Sequence, residues 1–138
     1  MTTLNKKATA IFLNIVKFCD TSEEGHVKFQ KDNGFMPLSV ELLYKTNAYN
    51  MYSFAHYYKQ NGDLVPDPDM CFLQNRENPS QIYPASFQNA IAYTEAAEID
   101  ETGNAIVLSA AQMKDLAIFA NIWMSNIYEQ QIKGGVRL

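Results

Sequence analysis

The pair Asn61-Gly62 constrains this chain more than any other feature. It separates YNMYSFAHYYKQ (49–60) from DLVPDPDMCF (63–72). Asn-Gly between aromatic or apolar runs predicts a two-residue β-hairpin, because both central residues of a type I′ turn take positive φ. The first run alternates: Tyr52, Phe54, His56 and Tyr58 fall on one face, and Met51, Ser53, Ala55 and Tyr57 on the other. With Asn61-Gly62 as the turn, Gln60 faces Asp63, Tyr58 faces Val65 and His56 faces Asp67. Pro66 and Pro68 have no backbone N–H to donate. The expectation is that the ladder stops before Asp67 and that Asp67-Pro68-Asp69 makes a second turn, its Asp side chains bonding local amides.

The hairpin sits inside a longer run of strand signals. VKF (27–29), LSVELLYKT (38–46), MCFLQ (70–74), QIYPASFQ (81–88) and AIAYTEAAEI (90–99) are rich in aromatic and β-branched residues or alternate in polarity. Breakers lie between them. Pro84 argues for an edge position or a bend. Before this run, Leu4, Ala8, Ile11, Ile15, Phe18 and Cys19 recur at spacings of three and four, which predicts a helix over about residues 3–19. DTSEEG ends it, with Gly25 available for a left-handed turn. After the strands, Ser109-Ala110-Ala111-Gln112 has the spacing of a capping box. It opens a helix whose apolar positions are Met113, Leu116, Ala117, Ala120, Trp123, Met124, Ile127 and Tyr128, and Gly134-Gly135 stops it. The expected fold is α+β: an N-terminal helix, an antiparallel meander of four to five strands, and a long C-terminal helix on the sheet. A length of 138 residues suits a single domain over 1–138.

Composition narrows function by exclusion. The formal charge is −4 and only 11 residues are Lys or Arg, scattered along the chain. A grip on phosphates needs basic residues in clusters, so nucleic acid is disfavoured as a partner. The apolar stretch after Lys6 and Lys7 is broken by Asn14 and Lys17 and is amphipathic. It reads as a helix of a cytoplasmic protein with no membrane span. Cys19 and Cys71 read as two buried free thiols.

Three readings of the motif remain. A non-enzymatic interaction surface would use His56, Tyr57, Tyr58, Gln60, Asn61, Asp63, Asp67 and Asp69, with a protein partner and no cofactor. A metal-dependent hydrolase or nuclease-like enzyme would use His56 as base, with Asp63, Asp67 or Asp69 holding a divalent ion. A small-ligand module would place an apolar cavity, lined by Tyr52, Tyr58 and Trp123, between sheet and helix. The first is favoured. The acidic spacing fails the calcium-loop pattern, and only two histidines, His26 and His56, are present. No Gly-rich phosphate loop or GxSxG elbow occurs. Cys71 has only His56 as a conceivable base across the sheet, and an aromatic-flanked Cys is more often core. Glu95 and Glu98, and Asp100 and Glu101, read as solvated strand-end and turn charges. Of the tyrosines, Tyr52, Tyr57, Tyr58, Tyr83 and Tyr93 form the one feature suited to recognition.

The order of motifs over about residues 49–132 resembles an uncharacterised bacterial domain family of phage, plasmid and conjugative-element proteins. Its pattern HYxxQNGDLxxDPxMxF falls here on His56, Tyr57, Gln60, Asn61, Gly62, Asp63, Asp67, Pro68, Met70 and Phe72. A looser second segment, IYPASFQN, departs from the family in that Asn89 is followed by Ala90 rather than an acid. The resemblance implies a mobile-element context and no catalytic activity.

Overall fold

The computed structural model describes residues 1–138. Helix α1 (Lys6–Asp20) leads into six strands: β1 (His26–Phe29), β2 (Leu38–Lys45), β3 (Tyr49–Gln60), β4 (Asp63–Asn75), β5 (Ile82–Gln88) and β6 (Tyr93–Glu95). They form one antiparallel meander in chain order. A separate small hairpin, β7 (Ala97–Ile99) with β8 (Ala105–Val107), precedes helix α2 (Ala110–Ile127), which ends in a wider π turn over Tyr128–Ile132. The α+β architecture is the one expected, with six strands in place of four to five. The run 90–99 divides into β6 and β7, and β8 lies in a segment too short and weakly patterned to signal a strand.

The amphipathic elements pack as their stripes dictate, with one adjustment. In α1 the buried residues are Ala8, Ile11, Phe12, Ile15, Val16 and Cys19. The expected stripe included Phe18 and omitted Phe12 and Val16; the helix is rotated so that Phe12 points into the core. Phe12 is fully buried and stacks on Phe54 at 4.9 Å, with Tyr52 and Phe72 meeting it edge-on at 5.7 and 5.4 Å. The helix starts at Lys6 rather than near Thr3. The Leu4 amide donates to the Ile82 carbonyl (2.9 Å), which ties the preceding segment to β5. The Asn5 side chain then caps the helix by accepting from the Ala8 amide (2.9 Å). Ser109 caps α2 as its spacing predicts, accepting from the Gln112 amide at 3.1 Å.

Both helices lie on one face of the sheet, where Val40, Tyr52, Phe54, Met70 and Phe72 are buried with Met113, Ala120, Trp123 and Met124 of α2. Pro84 sits in β5 beside a register shift opposite Cys71 and Phe72, so it marks a bend. The β7–β8 hairpin borders the opposite face. There the Thr46 hydroxyl donates to the Gly103 carbonyl (2.8 Å), and Gly103, at φ 87°, leaves room for no side chain: a Cβ would stand 3.0 Å from that of Thr46. A buried amide closes the far end. Gln131 accepts from the Lys31 amide (2.8 Å) and donates to the Met36 carbonyl (2.9 Å), pinning the β1–β2 connection to the end of the chain.

Candidate functional site

The hairpin forms as its turn chemistry requires. Asn61 and Gly62 have φ of 53° and 86°, and Gln60 pairs with Asp63, Lys59 with Leu64, Tyr58 with Val65 and Tyr57 with Pro66. Beyond that the register shifts. Asp67 and Pro68 together oppose His56, and pairing resumes at Ala55 with Asp69. This is a β-bulge, one extra residue taken up by β4. The expected second turn over residues 67–69 therefore does not occur; β4 runs on without a break. Proline is accommodated because β5 stops pairing at Asp69, so Pro66 and Pro68 lie where β4 has lost its second neighbour.

The same boundary makes residues 57–66 unusual. On the other side, β2 reaches β3 no further than Ala55. The segment is thus a two-stranded arm that projects past the sheet with neither outer edge paired. Such a ribbon is only marginally stable by itself. Leu64 on it is 66% exposed, and Tyr57 is exposed as well. Gln60, Asn61 and Asp63 are exposed at its tip, and Tyr58 is half-buried near its base.

The bulge also separates the residues that the metal reading needs together. His56 points to the helix side and is 4% exposed. Its Nδ1 lies 2.9 Å from the Pro37 carbonyl, so that nitrogen carries the proton, and its ring meets Trp123 edge-on at 5.5 Å. Burial pulls its pKa below the ordinary 6.5, against the Pro37 carbonyl and the Asp67 charge, which pull upward. Asp67 does neighbour His56, as expected, but burial outweighs it. Asp69 faces the other side of the sheet. It accepts hydrogen bonds from the Ser53 hydroxyl (2.7 Å) and the Tyr57 hydroxyl (3.4 Å), rather than from turn amides. Asp69 lies six positions along the strand from Asp63, roughly 20 Å at the usual rise. No group of three or more His, Cys, Asp or Glu side chains is arranged to hold a metal ion. Cys71 shares the Asp69 face, so it cannot meet His56 through the sheet.

The apolar cavity between sheet and helix is absent too. Tyr52 and Trp123 are buried in packed core, and Tyr52 donates to the Asp20 carboxylate at 2.6 Å. Of the five tyrosines grouped for recognition, Tyr52 and Tyr83 are buried while Tyr57 and Tyr93 are exposed. Asp100 is a turn residue, accepting from the Thr102 and Asn104 amides at 2.8 and 3.0 Å.

One feature has no signal in the sequence. On the face away from the helices, a cleft of about 270 Å³ opens among β2, β3, β4, β5, β6 and β7, with Tyr44, Met51, Cys71, Ser86, Tyr93 and Glu95 among its lining residues. Six strands contribute one to three residues each, and no local pattern marks them. Both cysteines are free thiols, Cys19 buried and Cys71 half-buried. Burial raises the Cys71 thiol pKa, as do the Asp69 and Glu95 charges, with the neighbouring Ser86 hydroxyl pulling the other way. A thiol so disposed is a poor nucleophile.

No helix is long and apolar enough to cross a membrane. No curated protein and no solved structure matches the chain. Residues 10–133 match a family described as a domain of unknown function (DUF6908). That match takes in everything from the middle of α1 to the end of the π turn, so the chain belongs to this family.

Proposed function

We propose that this protein is a non-enzymatic interaction domain, folded as one unit over residues 1–138, that serves a bacterial mobile element and grips a protein partner with the β3–β4 arm. The observation that carries the reading is the arm itself. Residues 57–66 leave both outer backbone edges unpaired and leave Leu64 largely, and Tyr57 in part, open to solvent. Exposed edges invite a further strand, and natural sheets usually blunt them. Pro66 and Pro68 blunt the β4 edge here. The β3 edge over residues 57–60 carries no proline and stays open to an extended segment, with alternate side chains setting specificity. The motif resemblance supports the mobile-element setting, and the lack of convergence among His56, Asp63, Asp67 and Asp69 supports a binding role.

The test is affinity capture from the bacterial host with wild-type protein beside Leu64→Asp and Tyr57→Ala, followed by hydrogen exchange on the recovered complex. A partner held by the wild type and lost by both variants, with amides 57–60 protected in the complex, is the expected result. A partner held equally by all three proteins would show that the arm is not the binding surface. Concentration-dependent dimerisation of the wild type, abolished by Leu64→Asp, would replace the foreign partner with a second copy of this chain.

A further inference from the structure

The cleft on the open face has a consistent chemistry. Its walls are apolar: Leu43, Met51, Ala85 and Ile99. Two tyrosines, Tyr44 and Tyr93, stand among its lining residues, and the only charged residues lining it are Glu95 and Glu98. No lysine or arginine answers those carboxylates. The molecule's one ion pair, Lys133 with Glu129, lies beyond the end of α2. Glu95 is held in place, since the Tyr93 hydroxyl donates to its Oε2 at 2.6 Å. An apolar cleft bordered by two carboxylates and two aromatic rings is complementary to a cation on an alkyl stem.

We propose that this cleft binds a primary alkylammonium group, the ammonium head against Glu95 and Glu98 and the stem along Met51, Ala85 and Ile99. The carboxylates supply charge-assisted acceptors, and the tyrosine rings supply the face a cation prefers. Local electrostatics agree. The Tyr93 hydroxyl is pushed up to about 12, first by its hydrogen bond to Glu95. Tyr44 and Cys71 are raised mainly by burial, and the Glu95 charge adds to each. One carboxylate thus depresses ionisation of three neighbours, the field that an incoming cation would neutralise. Glu95 and Glu98, which read in the sequence as ordinary solvated charges, become the specificity determinants. The inference does not depend on the arm or on its partner.

The experiment is a titration of the purified full chain, followed by two-dimensional NMR of the Ser86, Glu95 and Glu98 amides, with n-butylammonium, n-butanol and butyrate. Saturable shifts with butylammonium, binding about tenfold weaker for butanol, and none for butyrate are expected, since the carboxylate pairing and cation–π contact that only the cation gains together correspond to the roughly 1.4 kcal/mol of a tenfold ratio. Glu95→Gln keeps an acceptor for the Tyr93 hydroxyl and should retain the wild-type melting temperature while binding about tenfold less. Leu64→Asp should bind butylammonium as the wild type does. Blocked lysine amide, titrated alongside, separates the sources: binding equal to butylammonium assigns the site to a lysine side chain of a polypeptide, and exclusion of the bulkier molecule assigns it to a free amine. Equal affinity for butanol and butylammonium, an unchanged affinity in Glu95→Gln, or no saturable shift with any of the three would each overturn the proposal.

Discussion

Replacing Phe12 by alanine tests the packing that fixes the whole architecture. Phe12 is the one α1 side chain that touches three aromatic residues from two central strands: Phe54 in a parallel stack, Tyr52 and Phe72 edge-on. It is fully buried, so truncation removes apolar contact and leaves a cavity between layers that cannot collapse without moving α1. Buried Phe→Ala changes cost about 3–5 kcal/mol, and the stacked partner places this site in the upper part of that range. Unfolding entropy runs near 2.1 cal/mol/K per residue. Over 138 residues that is about 0.29 kcal/mol/K, so Tm should fall by about 10–17 °C. Scanning calorimetry or circular dichroism against temperature measures it, with Phe18→Ala as the comparison, since Phe18 is only half-buried. A drop smaller than about 3 °C, which is roughly 1 kcal/mol, would mean that α1 does not seat on β3 and β4 through Phe12.

Four further outcomes are expected. The His56 pKa lies below its unfolded value of 6.5, so the unfolded chain binds more protons there. Its contribution is complete above pH 6.5 and is lost as pH falls from 6.5 toward the folded value. Denaturant titrations should show stability dropping in that window by at most about 1.36 kcal/mol per pH unit from this residue, a slope missing in His56→Gln. Ser109→Ala should destabilise by about 0.5–2 kcal/mol through loss of the α2 cap, read from the denaturation midpoint. Leu64→Ala should move global stability by no more than about 0.5 kcal/mol, because the side chain lies in solvent; a larger loss would show that the arm packs on the body. Gly62→Ala forces a side chain into φ near 86° and should cost roughly 1–2 kcal/mol, visible as faster hydrogen exchange in residues 57–66 ahead of the rest of the sheet.

The sequence made the sheet legible wherever pairing is local. Asn61-Gly62 defined its turn and the first two cross-strand pairs, and Ser109 marked the start of α2 to the residue. Failures came where a distant contact decides. Helix α1 begins late because Leu4 is held by Ile82, and its core face turns toward Phe12 because Phe54 and Phe72 wait there. At His56 the two prolines signal an end to the ladder and a second turn, whereas the strand takes up one extra residue as a bulge and continues. Its consequence was not foreseen: His56 goes to the helix side while Asp69 goes to the other. Of the candidate residues, the tip and Tyr57 are exposed while His56 is buried against Trp123, a split that the motif's spacing does not carry; the cleft is invisible in the sequence, since its residues run over 56 positions from Leu43 to Ile99 and share no period.

The Gln131 clasp sets an order of events during synthesis. Its two hydrogen bonds reach back 100 and 95 residues, to Lys31 and Met36. Neighbouring strands of the meander, by contrast, need only each other, and such short-range pairings form early on a growing chain. The β1–β2 connection must therefore wait on the ribosome, unlatched, until residue 131 has emerged, while the strands on either side of it are already zipped. A nascent chain stalled with residue 131 still inside the ribosome should show that connection as its most protease-sensitive segment, and emergence of that residue should silence the cut.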